Sequence, residues 1–365
     1  MVASLIVVRF VLDIYGLSPS VSHYIRDRTE KAAAYNYILP TNRISLLTKS
    51  FEKNTAAAIV QHLETFKVFT IHSSIGGHGV AASFSNGPGK TDLDGVEKPV
   101  MHACGHDMHI TTLLAAAECL VKCRDEWSGE LVLVFQPAEE RAGGAQAMVD
   151  DGLYKLVKEP DVVVGAHVMP ERAGVIGTKY GLIASSADRF QYVLIISTYS
   201  KTQARFILAN LKIDVRAALP ATRDRVLASV KRIIASEASA SNNPITPVLT
   251  PTTQFPLLFN DAGVTAKLEE AFSKHFIPGK QGYQNDIARL QGSEDFGILA
   301  TSIGRPSCFF LYGGIEEGVW DRAVEEGRVS EDVPGNHSPF FAPQVQPTLT
   351  VGMEGYVVSA LALFG

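Results

Sequence analysis

Cysteine is scarce in this sequence. Four stand among 365 residues, at Cys104, Cys119, Cys123 and Cys308. Their number and spacing exclude a disulfide framework. Cys119 and Cys123 lie one helical turn apart in an apolar stretch and read as packing residues. Clustered positive charge is missing too. Lys and Arg total 33 against 38 Asp and Glu, for a net charge of -5 without a basic block. That balance argues against a nucleic acid or an anionic membrane as partner. The apolar stretch Val2 to Leu12 is interrupted by Arg9 and is too short to span a bilayer. It lacks the basic start and small-residue cleavage site of a clean signal peptide, so a cytoplasmic protein is expected. No internal repeat or low-complexity tract is present.

What is present is ample core material. Apolar residues make up 46% of the chain, and its length implies one large or two smaller domains. Residues 1–44 show no coherent pattern and stay unassigned. Thr55 to Phe66 carries a helical stripe of Ala57, Ile59, Val60 and Leu63. Lys67 to His72 and Val80 to Ser85 read as strands, and Asn86-Gly87-Pro88-Gly89 as a turn. Gly89-Lys90-Thr91 is not a phosphate loop, because Phe84 stands where that motif needs its first glycine. The turn should feed a return strand, yet Asp92 to Pro99 is polar and loop-like.

Ile110 to Lys122 reads as a buried helix. Glu130 to Gln136 is a near-continuous apolar strand of the kind buried in parallel sheets. Gly144 to Leu156 reads as helix, and Asp161 to Ala166 as a second buried strand ending at His167. Strand–helix–strand predicts an α/β fold whose mainly parallel sheet is covered by helices on both faces. Residues 188–255 change character, with strands at Arg189 to Ser197 and Phe206 to Arg216, a helix at Thr222 to Ala238, and a Pro/Thr-rich stretch. They predict a small inserted α+β module. The main domain is then 45–187 plus 256–365. Its second part holds a helix at Gly263 to Phe276, the acidic loop Gly292 to Gly297, a strand at Ser307 to Tyr312 and a closing helix at Leu349 to Leu363.

The chemistry concentrates in Met101-His102-Ala103-Cys104-Gly105-His106-Asp107-Met108-His109. This cluster opens a helix, where backbone N–H groups favour anionic side chains such as a thiolate. Cys104 and His106 are residue types that zinc prefers. Glu139 and Glu140 follow one buried strand, His167 follows the next, and His337 lies in a turn-rich loop. In open α/β sheets, sites form beyond the carboxyl ends of strands, so these scattered residues point at one crevice. Five candidate ligands (Cys104, His106, Glu140, His167 and His337) exceed what one catalytic zinc takes from a protein and suit two divalent ions. Glu139 would remain free as the proton shuttle. Each residue has a plainer reading: a core histidine, a solvated Glu-Glu pair, a small buried cysteine. Cys–His nucleophilic catalysis at Cys104 is a further alternative. Asp107, His102 and His109 are expected to orient the loop or the ligands.

Residues 101–109 (MHACGHDMH), 130–140 (ELVLVFQPAEE), 165–170 (GAHVMP), 292–297 (GSEDFG) and 336–341 (NHSPFF) resemble binuclear metalloamidohydrolases of the aminoacylase/carboxypeptidase type. The likeness is to the branch of hippurate hydrolases and auxin–amino-acid conjugate hydrolases. It covers about residues 45–187 and 205–365. It implies a phosphorylase/hydrolase-like catalytic domain with an inserted lid, here residues 188–255. It implies hydrolysis of small N-acyl or N-aroyl amino acids, with Cys104, His106, Glu140, His167 and His337 binding two zinc or manganese ions and Glu139 as base.

Two departures stand out against that family. An Arg-Ala-Asp-Met-Asp-Ala-Leu-Pro-like strand normally follows the Asn-Gly-Pro-Gly-Lys-Thr turn, and its aspartate helps orient the metal site. Here Thr91 runs into Asp92-Leu93-Asp94-Gly95. The lid also lacks a Gly-Gly-His-Gly-like segment with the helix and strand after it. The histidine of that segment reaches the substrate, and the helix helps form a dimer, so any homodimer here is expected to be weak. These gaps fit exon loss, a misread gene structure or a decayed paralogue. The expectation is a chain that keeps its metal ligands but folds poorly or catalyses slowly, the alternative being an inactive metal-binding remnant.

Overall fold

A computed structural model describes residues 2–8, 60, 61, 64, 90–93, 96–99, 101–200, 203–241, 247–276, 282–290 and 292–364. The strands are β1 (Val2–Val8), β2 (Lys90–Leu93), β3 (Val96–Pro99), β4 (Glu130–Gln136), β5 (Val162–Arg172), β6 (Ile176–Gly177), β7 (Gly181–Ala184), β8 (Ser186–Ser200), β9 (Gln203–Ala217), β10 (Val248–Phe255), β11 (Leu258–Asn260), β12 (Tyr283–Gln284) and β13 (Ser307–Ile315). The helices used below are α1 (His106–Lys122), α2 (Gly144–Asp150), α3 (Leu153–Leu156), α4 (Pro220–Ala240), α5 (Ala262–His275), α6 (Ile298–Thr301) and α7 (Thr348–Phe364). The strands expected at 67–72 and 80–85 and the turn at 86–89 lie outside the described residues.

The fold is α/β. A six-stranded sheet runs in the order β12-β6-β13-β5-β1-β4. β5 and β13 are parallel, while β1 is antiparallel to both β4 and β5. β4 and β5 therefore point the same way, and the sheet is mixed. Side chains alternate across it. Val164, Ala166, Val168, Phe310 and Tyr312 join the core beneath α1, α5 and α7. Val163, Phe309 and Leu311 join the opposite core, with Ala145 and Met148 of α2, Leu153 of α3 and Leu299 of α6. Both faces are covered by helices, which is why the strands read as continuous apolar runs.

Several boundaries differ from the sequence reading. Asp92 to Pro99, expected as loop, lies largely in the β2–β3 hairpin. The helix expected over Gly144 to Leu156 is two helices, split at Gly152, whose φ is +89°. β5 does not stop before His167. It continues to Arg172, and His167 sits opposite Leu311 of β13. The polar histidine reads as a terminator in sequence, but buried Val168 and Met169 carry the strand on.

Of residues 1–44, which had no assignment, 2–8 form β1 at the heart of the sheet. Ile6 lies opposite Val132 of β4 and Val163 of β5. Where a missing return strand would leave ladder groups open, the facing edges of β4 and β5 are both paired to β1. Ile6→Pro removes a backbone donor from a central strand. It is expected to cost roughly 3 kcal/mol, read as a lowered midpoint in denaturant unfolding.

β8, β9 and β10 form a three-stranded antiparallel sheet in the order β10-β8-β9. β8 and β9 pair along their whole length, from Ser186 opposite Ala217 to Ser200 opposite Gln203. The two strands are thus a single hairpin. α4 begins two residues before the expected Thr222, with Pro220 in its first turn.

Candidate metal centre

The loop before α1 positions the first two candidate donors, Cys104 and His106. Gly105 is the N-cap, with φ +79°, a left-handed conformation that suits glycine. A Cβ there would lie 2.3 Å from Cγ1 of Val168, so only glycine lets the Cys104 loop seat against β5. His106 follows as the first helical residue. Glu139 and Glu140 sit in a single 3₁₀ turn after β4, flanked by Ala138 at φ 49° and Ala142 at φ 51°. These two left-handed residues bend the chain sharply, at a conformational cost for alanine. His337 also has a left-handed φ, 72°. Its N–H donates to the Ala103 carbonyl at 2.7 Å. The Asn336 side chain donates to the carbonyls of Cys104 and Val168 at 3.4 and 3.2 Å. The late loop is thereby strapped onto the early one.

The structure brings all six sequence-predicted site residues together. Ligand atoms of Cys104, His106 and His167 lie within 4.8 Å of one another, and so do those of Cys104, Glu140 and His337. The Cys104 sulfur belongs to both sets. His106, Glu139 and Glu140 form a third such group. His106 Nε2 stands 3.6 Å from Glu139 Oε2 and 3.9 Å from Glu140 Oε1. His337 Nε2 is 3.1 Å from Glu140 Oε1. One set is buried, because His106 and His167 are each 3% exposed; the other opens outward through half-buried Glu140 and exposed His337.

Tautomers can be assigned at His167. Its Nδ1 lies 2.7 Å from the Val168 carbonyl, which can only accept, so the proton is on Nδ1. The lone pair of Nε2 then faces the Cys104 sulfur at 3.4 Å. Thiol sulfur, imidazole nitrogen and carboxylate oxygen are the donor set of zinc and similar ions. The lone-pair geometry and the convergence of three donors on each side fit a pair of divalent cations.

Electrostatics agree with that fit. Burial holds His106 well below the ordinary histidine value and brings His167 down to about 4, so both rings are neutral near pH 7. The hydrogen bond to Glu140 raises His337, against burial and the nearby Arg189 and Arg216 guanidinia. Burial and the charges of Glu140, Glu139 and Glu294 push the Cys104 thiol well up, so cation uptake would displace its proton. Acidification is therefore expected to release the ions, because falling pH returns a proton first to the Cys104 thiol and so takes a donor from both sets. A pH titration of retained metal checks this, and ions retained unchanged through acid pH would count against the place of the sulfur in both sets.

Sequence reasoning missed two acids. Glu294 and Asp295 of the acidic loop are buried, and their carboxyls lie within 4.8 Å of that of Glu139. Asp295 is held by the Gln136 side chain, at the end of β4, and by the Ala145 N–H at 3.2 Å. Burial, then the charges of Glu294, Glu140 and Asp295, raise Glu139 well above the usual carboxylate range. Burial likewise raises Asp295 to about 6. A carboxylate with raised proton affinity is a stronger base.

The scan against family models matches residues 85–328 to peptidase family M20/M25/M40. The chain belongs to this family. Among its M20-family relatives is the hippurate hydrolase of Campylobacter jejuni, 34% identical over 161 residues, which are 39% of this chain and 41% of that protein. The IAA-amino acid hydrolase ILR1-like 6 of Arabidopsis thaliana is 41% identical over 109 residues, 30% of this chain and 23% of the relative. The chain thus aligns with well under half the length of these relatives. Among solved structures, a dinuclear metal binding peptidase from the M20 family, from Bacillus subtilis, superimposes with a TM-score of 0.66 at 21% identity. It covers 93% of this chain and 99% of that one, which establishes the M20 fold. No described helix is long and apolar enough to cross a membrane.

Proposed function

We propose that this M20-family chain is a metal-dependent amidohydrolase that cleaves the amide bond of small N-acyl or N-aroyl amino acids. The observation that carries the reading is the meeting of two three-donor sets at the Cys104 sulfur, with buried Glu139 beside them. The relatives named as hydrolases of hippurate and of IAA-amino acids support the substrate class.

Two zinc or manganese ions, held by Cys104, His106, Glu140, His167 and His337, would polarise the amide carbonyl and make water near them acidic. Glu139 accepts a proton from the attacking water and returns it to the leaving nitrogen, so its carboxyl ends unchanged. The products are a carboxylic acid and an amino acid. Glu294 and Asp295 keep Glu139 in a dry, acidic surrounding that holds it basic. Arg189 and Arg216, from the β8–β9 hairpin, are ion-paired with Asp214 at 3.0 and 3.4 Å, and their charge is felt at His337. Residues 45–187 and 256–365 are read as the catalytic unit and 188–255 as its lid.

The reading includes slow turnover. Residues 188–255 contain no histidine, and the β8–β9 hairpin closes where the family segment carrying one would stand. Loss of one such stabiliser of developing negative charge is commonly worth about 10²–10³ in rate. The same observation supports the second reading, an inactive metal-binding remnant. Purified protein loaded with Zn²⁺ or Mn²⁺ and given hippurate and N-acetyl amino acids decides between them. Slow, chelator-sensitive hydrolysis is expected. Metal binding without turnover would favour the remnant, and turnover that resists chelators but yields to thiol alkylation would favour a cysteine hydrolase.

A further inference from the structure

Three hydrogen bonds converge on the peptide groups of Val168. Its carbonyl accepts from His167 Nδ1 at 2.7 Å and from the Asn336 side chain at 3.2 Å. Its N–H donates to His109 Nε2 at 3.0 Å. His109 projects from the first turns of α1, fully buried, with its ring centroid 4.3 Å from that of His167. A backbone N–H can only donate, so His109 Nε2 is the unprotonated nitrogen and the proton sits on Nδ1. That nitrogen is buried and has no hydrogen-bond partner among the described residues. His109 therefore gives up one donor to serve as the acceptor at Val168.

We infer that His109 is a positioning residue for His167, acting through the backbone of Val168. By anchoring the N–H it fixes the strand where the carbonyl of the same residue holds His167 Nδ1–H, and so aims His167 Nε2 at the Cys104 sulfur. α1 thus supplies His106 as a direct donor and, from the same helix end, sets the direction of a donor on β5. The inference rests on the dinuclear reading above.

Glutamine can present an acceptor near the place of histidine Nε2, whereas asparagine reaches only to the place of Nδ1. This separates the acceptor role from mere filling of space. Divalent affinity is measured by chelator competition, and the cobalt-loaded protein is examined for its thiolate-to-metal absorption band. Melting of the metal-free protein controls for folding. His109→Asn is expected to weaken the Cys104–His106–His167 set about 10–100-fold, as loss of a supporting hydrogen bond does, and to alter the cobalt band. His109→Gln is expected to keep affinity close to wild type.

Wild-type affinity in His109→Asn, or an equal loss in both variants with unchanged melting, overturns the inference alone. A wild-type chain that binds no divalent cation overturns the metal reading first and this one with it. Should neither variant fold, ring ¹⁵N spectra of the wild type still decide. An Nδ1-protonated His109 is expected, and an Nε2-protonated ring contradicts the proposal.

Discussion

Glu139→Ala is expected to lower kcat by about 10²–10⁴-fold, the range that general acid–base catalysis supplies, with metal content unchanged. The two neighbouring acids differ in their surroundings. Glu139 is 5% exposed, near Glu294 and Asp295 on the core side. Glu140 turns toward His337 and shares a donor set with Cys104. Its carboxyl is held low by the His337 hydrogen bond and charge, which outweigh burial. That suits a permanently charged ligand, whereas raised Glu139 suits a group that takes up a proton. Glu140→Ala should therefore lose metal and Glu139→Ala should not. Metal analysis of both purified variants alongside steady-state rates checks the assignment, and the opposite pattern would exchange their roles.

Cys104→Ala is expected to strip both cations, where His337→Ala removes one. Cys104 alone belongs both to the set with His106 and His167 and to the set with Glu140 and His337. As a donor shared by both sets it would help hold each ion, and the effect of losing it should exceed the about 10–100-fold that a lost supporting hydrogen bond costs. Removal of His337 touches only the open set and leaves the buried donors paired as before. Equilibrium dialysis with Zn²⁺ distinguishes the two variants. Retention of one tightly held ion in Cys104→Ala would show that the sulfur serves a single cation.

Much of this arrangement was legible in the residues. Glu130 to Gln136 is a strand with the bounds its apolar run suggests, because Val132 and Val134 pack into the core on one face of the sheet and Phe135 into the core on the other. α1 and the helix of the inserted module were legible from apolar periodicity and composition. Cys104, His106, Glu139, Glu140, His167 and His337, singled out in the sequence as Cys, His and Glu after apolar strands, at a helix start and in a late loop, do lie together in the structure.

What escaped depends on contacts distant in sequence. β1 is apolar, but nothing local says that Val2 to Val8 inserts antiparallel between β4 and β5. His167 looked like a strand terminator because the pairing that continues the strand comes from β13, far along the chain. Glu294 and Asp295 read as part of an acidic loop without a role of their own, since burial of adjacent acids is rare and, at Asp295, hinges on Gln136 and the N–H of Ala145. His109 was expected to orient the loop or the ligands, but its partner, the Val168 N–H on β5, could not be read from the sequence.

One measurement bears most directly on the centre: anomalous diffraction from crystals of the wild-type chain grown with Zn²⁺. The account requires two zinc peaks per chain with the Cys104 sulfur bonded to both, His106 and His167 at one, and Glu140 and His337 at the other. A single peak, or a pair without the sulfur between them, would contradict it.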